Sequence, residues 1–475
     1  MKKLFRSDMP RKPFLGRIEE IFRELHGEPA VIGADGSTLR TFGEIAGEAG
    51  HWAGQIKEGG CVLLYADNCA GWPGALLGIW MAGATAVPCE PSIGEPEPIE
   101  TLCGCTARIA RTNGRLSLVN GLPSPARPAG VVHADLLKIT SGTTAARRAV
   151  VFTGNNLMAD ARNVCTGMGI ARPDRNLAAI SFAHSYGLTN LIGALFFEGV
   201  PLVLAKDSMP RALAEAAAAG GASVFPGVPA FFRALAGVGT KLHGLRLCIS
   251  AGAPLARRDA LAFFEATGRK AHSFYGASEC GGICYDAGGD PGVPEGFVGP
   301  PLPGVEIKAS AGEEGLRFRV GGDAVGRCYV PAQAGDALSG GFYEPSDILE
   351  ETRDGFRIIG RVSDFINIGG RKANPAEIEA VLLAHPGVQA ATVFAGTSPG
   401  GREETVAACV VTALPTETLR AHCAGHLPAW QLPRDWFRVK EIPCTERGKV
   451  SRLALRRRFF PSPYLPPGSD MPQSK

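Results

Sequence analysis

Four short stretches hold the residues best suited to chemistry. The first is "LLKITSGTTAARRAVVF", residues 136–152. An apolar, strand-like run leads into Thr140, Ser141, Gly142, Thr143 and Thr144. Hydroxyls and backbone N–H groups around a glycine can wrap phosphate oxygens. Arg147 or Arg148 would add charge, and an arginine can grip phosphate through two nitrogens. The stretch is not a P-loop, which needs two spaced glycines and a Lys directly before Ser or Thr. The second stretch, "FYGASECGG", sets one carboxylate, Glu279, among small residues after a strand-like piece. One carboxylate together with phosphate oxygens is a common way to hold Mg²⁺. In the third, Asp347 opens "DILE" and Arg361 follows "FRIIG". A carboxylate suits a sugar diol, and a guanidinium can brace the same ring. The fourth, "CTERGKVSR", carries Lys449 in a polar turn. Taken singly, each reads equally well as a loop, a tight turn or a solvated charge. Their order along one chain is the signal.

The elements that must position them follow from length and pattern. At roughly 100–200 residues per domain, the 475 residues allow two to four domains. A hydrophobic share of 45% with 20% charged residues suits a soluble globular enzyme. The formal charge of +3 is too even to point to nucleic acid or an anionic membrane as partner. The 13 cysteines form no paired CxxC clusters, which points to free or buried thiols in a reducing cytoplasm. No apolar run follows the basic N-terminus, so no signal peptide is expected. Residues 68–89, "NCAGWPGALLGIWMAGATAVPC", carry no charge and approach membrane-spanning length. Their glycines, alanines and Pro73 instead suggest a buried helix leading into a buried strand.

Strand-like and helix-like pieces alternate through the first three quarters. "RLCIS", then "LARRDALAFFEATG", then "AHSFYG" is the order a parallel sheet with crossover helices requires. Ligands bind at the carboxyl ends of such strands, which is where the first two stretches fall. From about residue 360 the pattern changes. "NPAEIEAVLLAHPG" reads as a helix with Asn374 as N-cap and Pro375 at its first position. Two strands, a helix and a further strand follow, as in a compact α+β unit.

In this order the stretches resemble the superfamily of adenylate-forming enzymes: acyl-CoA synthetases, adenylation domains and luciferases. The resemblance runs from about residue 20 to 460 and rests on "TSGTT", "SAGAPL", "YGASE", "GRVSDFINIGGRKANPAEIE" and "ERGKVSR". It is strongest toward acyl- or aryl-CoA synthetases. It implies an α/β fold: a large N-terminal domain of parallel-rich sheets with flanking helices, and a small mobile α+β C-terminal domain. The expected bounds are 1–362 and 363–462, with a disordered tail at 463–475. It also implies roles. Thr140 to Thr144 would cradle the β- and γ-phosphates of ATP. Gly252, Ala253 and Pro254 would lie along adenine, with Tyr275 and Gly276 near it. Ser278 would touch the α-phosphate, and Glu279 would hold Mg²⁺. Asp347 would bind the ribose, supported by Arg361. Lys449 would reach the carboxylate and α-phosphate. Ser363 would be the hinge between two half-reactions, with Gly369 and Gly370 near the pantetheine channel. His184, in "HSYGL", would close the acid pocket.

The implied reaction is activation of a small carboxylic acid as acyl-AMP with loss of pyrophosphate, then transfer to CoA. A carrier protein's pantetheine is the alternative acceptor, and a nucleotide-binding homologue without activity is a further alternative. Neither a nucleic-acid partner nor a membrane span is expected. The sequence departs from the pattern in two places. Ala145, Ala146, Arg147 and Arg148 stand where Gly-x-Pro-Lys is usual, and Pro345-Ser346 replaces Thr-Gly. For the acid, small Ala277, Gly281 and Gly282 would leave pocket volume, and Phe225 and Val228 would supply apolar walls. An aromatic or medium aliphatic acid fits that set.

Overall fold

The computed structural model describes residues 12–123, 128, 131, 133–140, 147–238, 242, 244–312, 315–361, 364–368, 371–397, 404–443 and 450–460. The chain divides into two compact units, Met1–Pro345 with Glu350–Ile358, and Ser346–Leu349 with Ile359–Lys475.

Two large sheets build the first unit. One has eight strands, with Val224–Gly227, Leu247–Ser250 and Ala271–Ala277 as parallel neighbours, and Gly281–Tyr285 antiparallel at the edge. The other has seven strands, with Leu136–Thr140, Thr85–Cys89 and Cys61–Tyr65 as consecutive parallel neighbours. Arg148–Phe152 turns back antiparallel on Leu136–Thr140, pairing Thr140 with Arg148. Thr140, the one described residue of the hydroxyl cluster, therefore ends its strand at the sheet's carboxyl end.

The interior strands are covered on both faces, so they read as unbroken apolar runs. Along Val224–Gly227 the side chains alternate between two cores. Val224 joins Ile249, Phe274 and Leu302, whereas Phe225 joins Phe232, Leu235 and Phe263. Phe225 is fully buried in this second, aromatic core, its ring centroid 5.3 Å from that of Phe232. It is a core residue and not the pocket wall that its place in "FPGVP" suggests.

The uncharged stretch becomes the helix Trp72–Met81 and the fully buried strand Thr85–Cys89. Its glycines permit close helix packing. A Cβ on Gly78 would meet Trp52 at 2.4 Å, and one on Gly74 would meet Glu48 at 2.7 Å. Among the described residues no helix is long and apolar enough to cross a membrane. The described cysteines are all free, and all but Cys69 and Cys328 are buried.

The second unit is α+β. Val388–Thr397 pairs antiparallel with Glu404–Thr412, which pairs parallel with Asp435–Arg438. The helix Pro375–Ala384 starts as expected, with Asn374 Oδ1 accepting from the Ala376 N–H. Ile378, Leu382, Val393, Val410 and Leu419 form its core. Arg452 fastens the last helix through Asp364, both oxygens of Glu379 and the Val393 carbonyl. Burial pushes the Glu379 carboxyl up, and Arg452 opposes that push.

Phe225→Ala should cost about 3–5 kcal/mol by opening a cavity in a closed core. Denaturant unfolding reads that loss. A conservative Phe225→Leu protein should keep its preference among acids, because the side chain is enclosed in the aromatic core.

Candidate active site

The chemistry-bearing turns of the first unit leave neighbouring strand ends. Gly252, Ala253 and Pro254 follow Leu247–Ser250, where the Ala251 N–H donates to the Gly227 carbonyl at 3.1 Å. Gly252 has φ +88°, and a Cβ there would lie 3.8 Å from Val228. Val228 and the turn that begins at Gly252 are thus neighbours. Tyr275, Gly276 and Ala277 end the strand Ala271–Ala277, and Ser278 and Glu279 lie in the turn to Gly281–Tyr285. Tyr275 is buried, whereas Gly276 is exposed. Gly276 must be glycine, since a Cβ would meet the Gly281 carbonyl at 2.6 Å.

Glu279 is tied to the hairpin strand. Tyr329 donates its hydroxyl to Glu279 Oε1 at 3.0 Å, and Arg148 lies over the Tyr329 ring, 4.1 Å from its centroid. Arg148 also donates to the Pro331 carbonyl and to Asp336. These bonds correct the expectation for Arg148: its guanidinium is engaged within the protein rather than open for phosphate. Thr140 closes the buried strand and donates its hydroxyl to the Arg148 carbonyl at 3.2 Å. Burial and the nearby Glu279 push the Tyr329 phenol up, so it stays a donor. Only one Glu279 oxygen meets a hydrogen-bond donor among the described residues, leaving the other for a cation. A single available carboxylate fits Mg²⁺, which takes its remaining ligands from phosphates and water.

The acid-side expectations change most. Gly281 has φ +72°, and a Cβ there would sit 2.1 Å from the Asp160 carboxylate. A Cβ on Gly282 would meet Leu302 at 2.7 Å. The room these glycines leave is filled by neighbours, so neither opens pocket volume. Asp160 is buried, accepting from Thr189 at 2.5 Å and from the Gly282 N–H at 2.9 Å. Burial pushes its carboxyl up, opposed by Lys138 and these donors. Lys138 is buried in the strand before the hydroxyl cluster, 3.2 Å from the Ser185 hydroxyl and 4.3 Å from the Phe152 ring centroid. Burial pushes its ammonium down, opposed by Asp160, Cys280 and Glu279. The sequence does signal Lys138, as a lysine inside an apolar strand, but gives no partner for it.

His184 precedes the turn Ser185–Gly187, which runs into a π-helix, Leu188–Glu198. Long π-helices are rare and gather at functional sites. The His184 Nε2 lies 2.5 Å from Glu90 Oε1. Burial alone would push the Glu90 carboxyl up, but hydrogen bonds from His184, Ser92 and Ser181 outweigh it and hold the group at about 2. Glu90 had no signal in the sequence beyond following a strand.

Asp347 and Arg361 form an ion pair within the second unit. Ser141, Gly142, Thr143, Thr144, Ser363, Gly369, Gly370 and Lys449 lie outside the described residues.

Glu90 sets a pH dependence. Its carboxyl is depressed on folding, so its contribution is complete above the ordinary value of 4.5 and is lost as pH falls toward about 2. Urea unfolding at pH 5 and pH 3 should show Glu90→Gln losing less stability than the unsubstituted protein across that window.

Comparison with known proteins identifies the family. Residues 136–330 match the family described as AMP-binding enzyme, and residues 377–449 match the AMP-binding enzyme C-terminal domain. Sulfoacetate–CoA ligase of Cupriavidus necator is 27% identical over 90% of this chain and 94% of its own length. Feruloyl-CoA synthase of an Amycolatopsis species is 26% identical over 89% and 95%. The fold is that of ATP-bound MatB from Rhodopseudomonas palustris, with a TM-score of 0.82 at 22% identity, covering 94% of this chain and 99% of that one. With both family matches in order and together spanning more than half of its length, the chain belongs to the AMP-binding, adenylate-forming enzymes.

Proposed function

We propose that the protein is an AMP-forming acid–thiol ligase that activates a carboxylic acid with ATP and passes the acyl group to CoA. One observation carries the reading: Glu279 is joined through Tyr329 to the strand that flanks the hydroxyl cluster. A cation at Glu279 and phosphates at the hydroxyl cluster would then belong to one triphosphate. Thr140–Thr144 would hold the outer phosphates. Ser278 would meet the α-phosphate, Tyr275 and Gly252–Pro254 the adenine, and Asp347 with Arg361 the ribose. Ser363 would serve as hinge, with Gly369 and Gly370 beside the pantetheine.

A carboxylate oxygen attacks the α-phosphorus. The bond to the bridging oxygen breaks, and pyrophosphate leaves. The thiol sulfur then attacks the acyl carbon, and AMP departs. Both first-step reactants are anions, so the site must offset their repulsion. Mg²⁺ held by Glu279 would neutralise phosphate charge, and Lys449 would neutralise the approaching carboxylate and the α-phosphate. The likeness to a feruloyl-CoA synthase, together with apolar Val228, supports an aromatic or medium aliphatic acid. Free, buried thiols suit a cytoplasmic setting.

The engaged Arg148 favours one second reading, a homologue that binds nucleotide without turnover. An acid panel separates the two. Acid- and Mg²⁺-dependent pyrophosphate release is expected. ATP binding with no release from any acid would leave the second reading standing. CoA and a holo-carrier protein, supplied in parallel, identify the acceptor. Lys449→Ala should lower adenylation by about 100-fold or more while sparing transfer from supplied acyl-AMP. Equal loss of both steps would remove Lys449 from the assigned role.

A further inference from the structure

Residues 179–184 leave the strand Asn176–Ala178 and reach Ser185 without joining either sheet. Three polar side chains hold this segment and the serine that follows it. Asn68 donates to the Ile180 carbonyl and accepts from the Phe182 N–H, both at 2.8 Å. Glu90 takes the His184 Nε2 at 2.5 Å and is also bonded by Ser181. Lys138 reaches the Ser185 hydroxyl at 3.2 Å.

The three come from one place in the fold. Asn68 follows the strand Cys61–Tyr65, Glu90 follows Thr85–Cys89, and Lys138 lies in Leu136–Thr140. These strands are consecutive neighbours in the seven-stranded sheet. The contacts run in the same order, with Asn68 on 180 and 182, Glu90 on 184, and Lys138 on 185. A row of side chains on one sheet thus does for this segment what strand pairing does elsewhere. The adjoining Tyr186 reaches the eight-stranded sheet, its hydroxyl donating to the Ile249 carbonyl at 2.9 Å.

We propose that Asn68, Glu90 and Lys138 form a polar seam that positions the His184–Ser185 segment for the carboxylic acid, and so governs acid binding apart from ATP binding. The proposal rests on the ligase reading for the identity of the ligand. The separation follows from what holds each side. Thr140 is fixed by its pairing with Arg148, which does not involve the seam. The segment that carries His184 has no such ladder. All three are positioning residues, acting through the segment they hold.

The experiment compares Asn68→Leu, Glu90→Leu and Lys138→Met with the conservative Glu90→Gln, which keeps an acceptor oxygen. Amide hydrogen exchange is measured on peptides spanning 179–188 and 246–251, without any substrate. Steady-state kinetics are measured against the best acid of the panel. The apolar variants should speed exchange in the first peptide by about tenfold and leave the second unchanged. They should raise the KM for the acid by about tenfold and keep the KM for ATP within about twofold. Glu90→Gln should recover most of the acid KM. Unchanged exchange at 179–188 would overturn the seam, and so would parallel rises in both KM values. If no acid is activated by the unsubstituted protein, the ligase reading fails on that result, and exchange alone still decides whether the seam holds the segment. Lys138 is the most buried of the three. Should Lys138→Met not fold, Asn68→Leu and Glu90→Leu carry the test.

Discussion

A chain that leaves a parallel strand carries unpaired N–H and C=O groups with it, and each needs a partner where water is excluded. The candidate site of this protein is made of such departures. Its turns leave the carboxyl ends of adjacent strands, as ligand sites in open sheets do. What keeps them in place is a second set of bonds, separate from the ladders. The Ala251 N–H finds the Gly227 carbonyl, the Gly326 N–H finds the Glu279 carbonyl, and the 180–182 backbone finds Asn68. Such fixed backbone is what electrostatic catalysis requires, because dipoles already aimed need no reorganisation during reaction.

The same need explains the glycines. A Cβ at Gly187 would lie 2.0 Å from the Ser181 carbonyl, so the turn after His184 closes only with glycine there. Gly281 combines a positive φ with an Asp160 carboxylate where its Cβ would be. A small residue near a site is readily taken as space for a ligand. In both places it is space already used, by backbone in one and by a buried charge in the other.

How far the sequence goes depends on whether a feature is local. The strand–helix–strand order, the buried helix Trp72–Met81 and the cap at Asn374 all follow from patterns a few residues long, and the structure has them. The expectations for Glu279 and for the hydroxyl cluster rest likewise on short stretches. Phe225 was misread because alternation along "VFPG" gives two faces without saying which one meets an aromatic core. Arg148 was misread because its partners, Pro331 and Asp336, lie far along the chain. Asn68, Glu90 and Tyr329 escaped notice altogether, since each acquires meaning only once a distant segment packs against it.

Two buried ionisable side chains serve these constraints. Lys138 and Asp160 both lose hydration, and burial drives each toward its neutral form. An apolar pair would avoid that cost, and buried charges are poor sources of stability. Their bonds suggest another use. Asp160 holds Thr189 of the π-helix and the Gly282 backbone, while Lys138 holds Ser185. Each reaches a backbone segment that apolar packing would leave free to slide, because hydrophobic contact is not directional. A hydrogen bond is directional and fails when a partner shifts by much more than half an ångström. Two buried polar groups therefore fix the register of the segment at Ser185 and of the turn after Glu279, which an oily contact in the same volume would not.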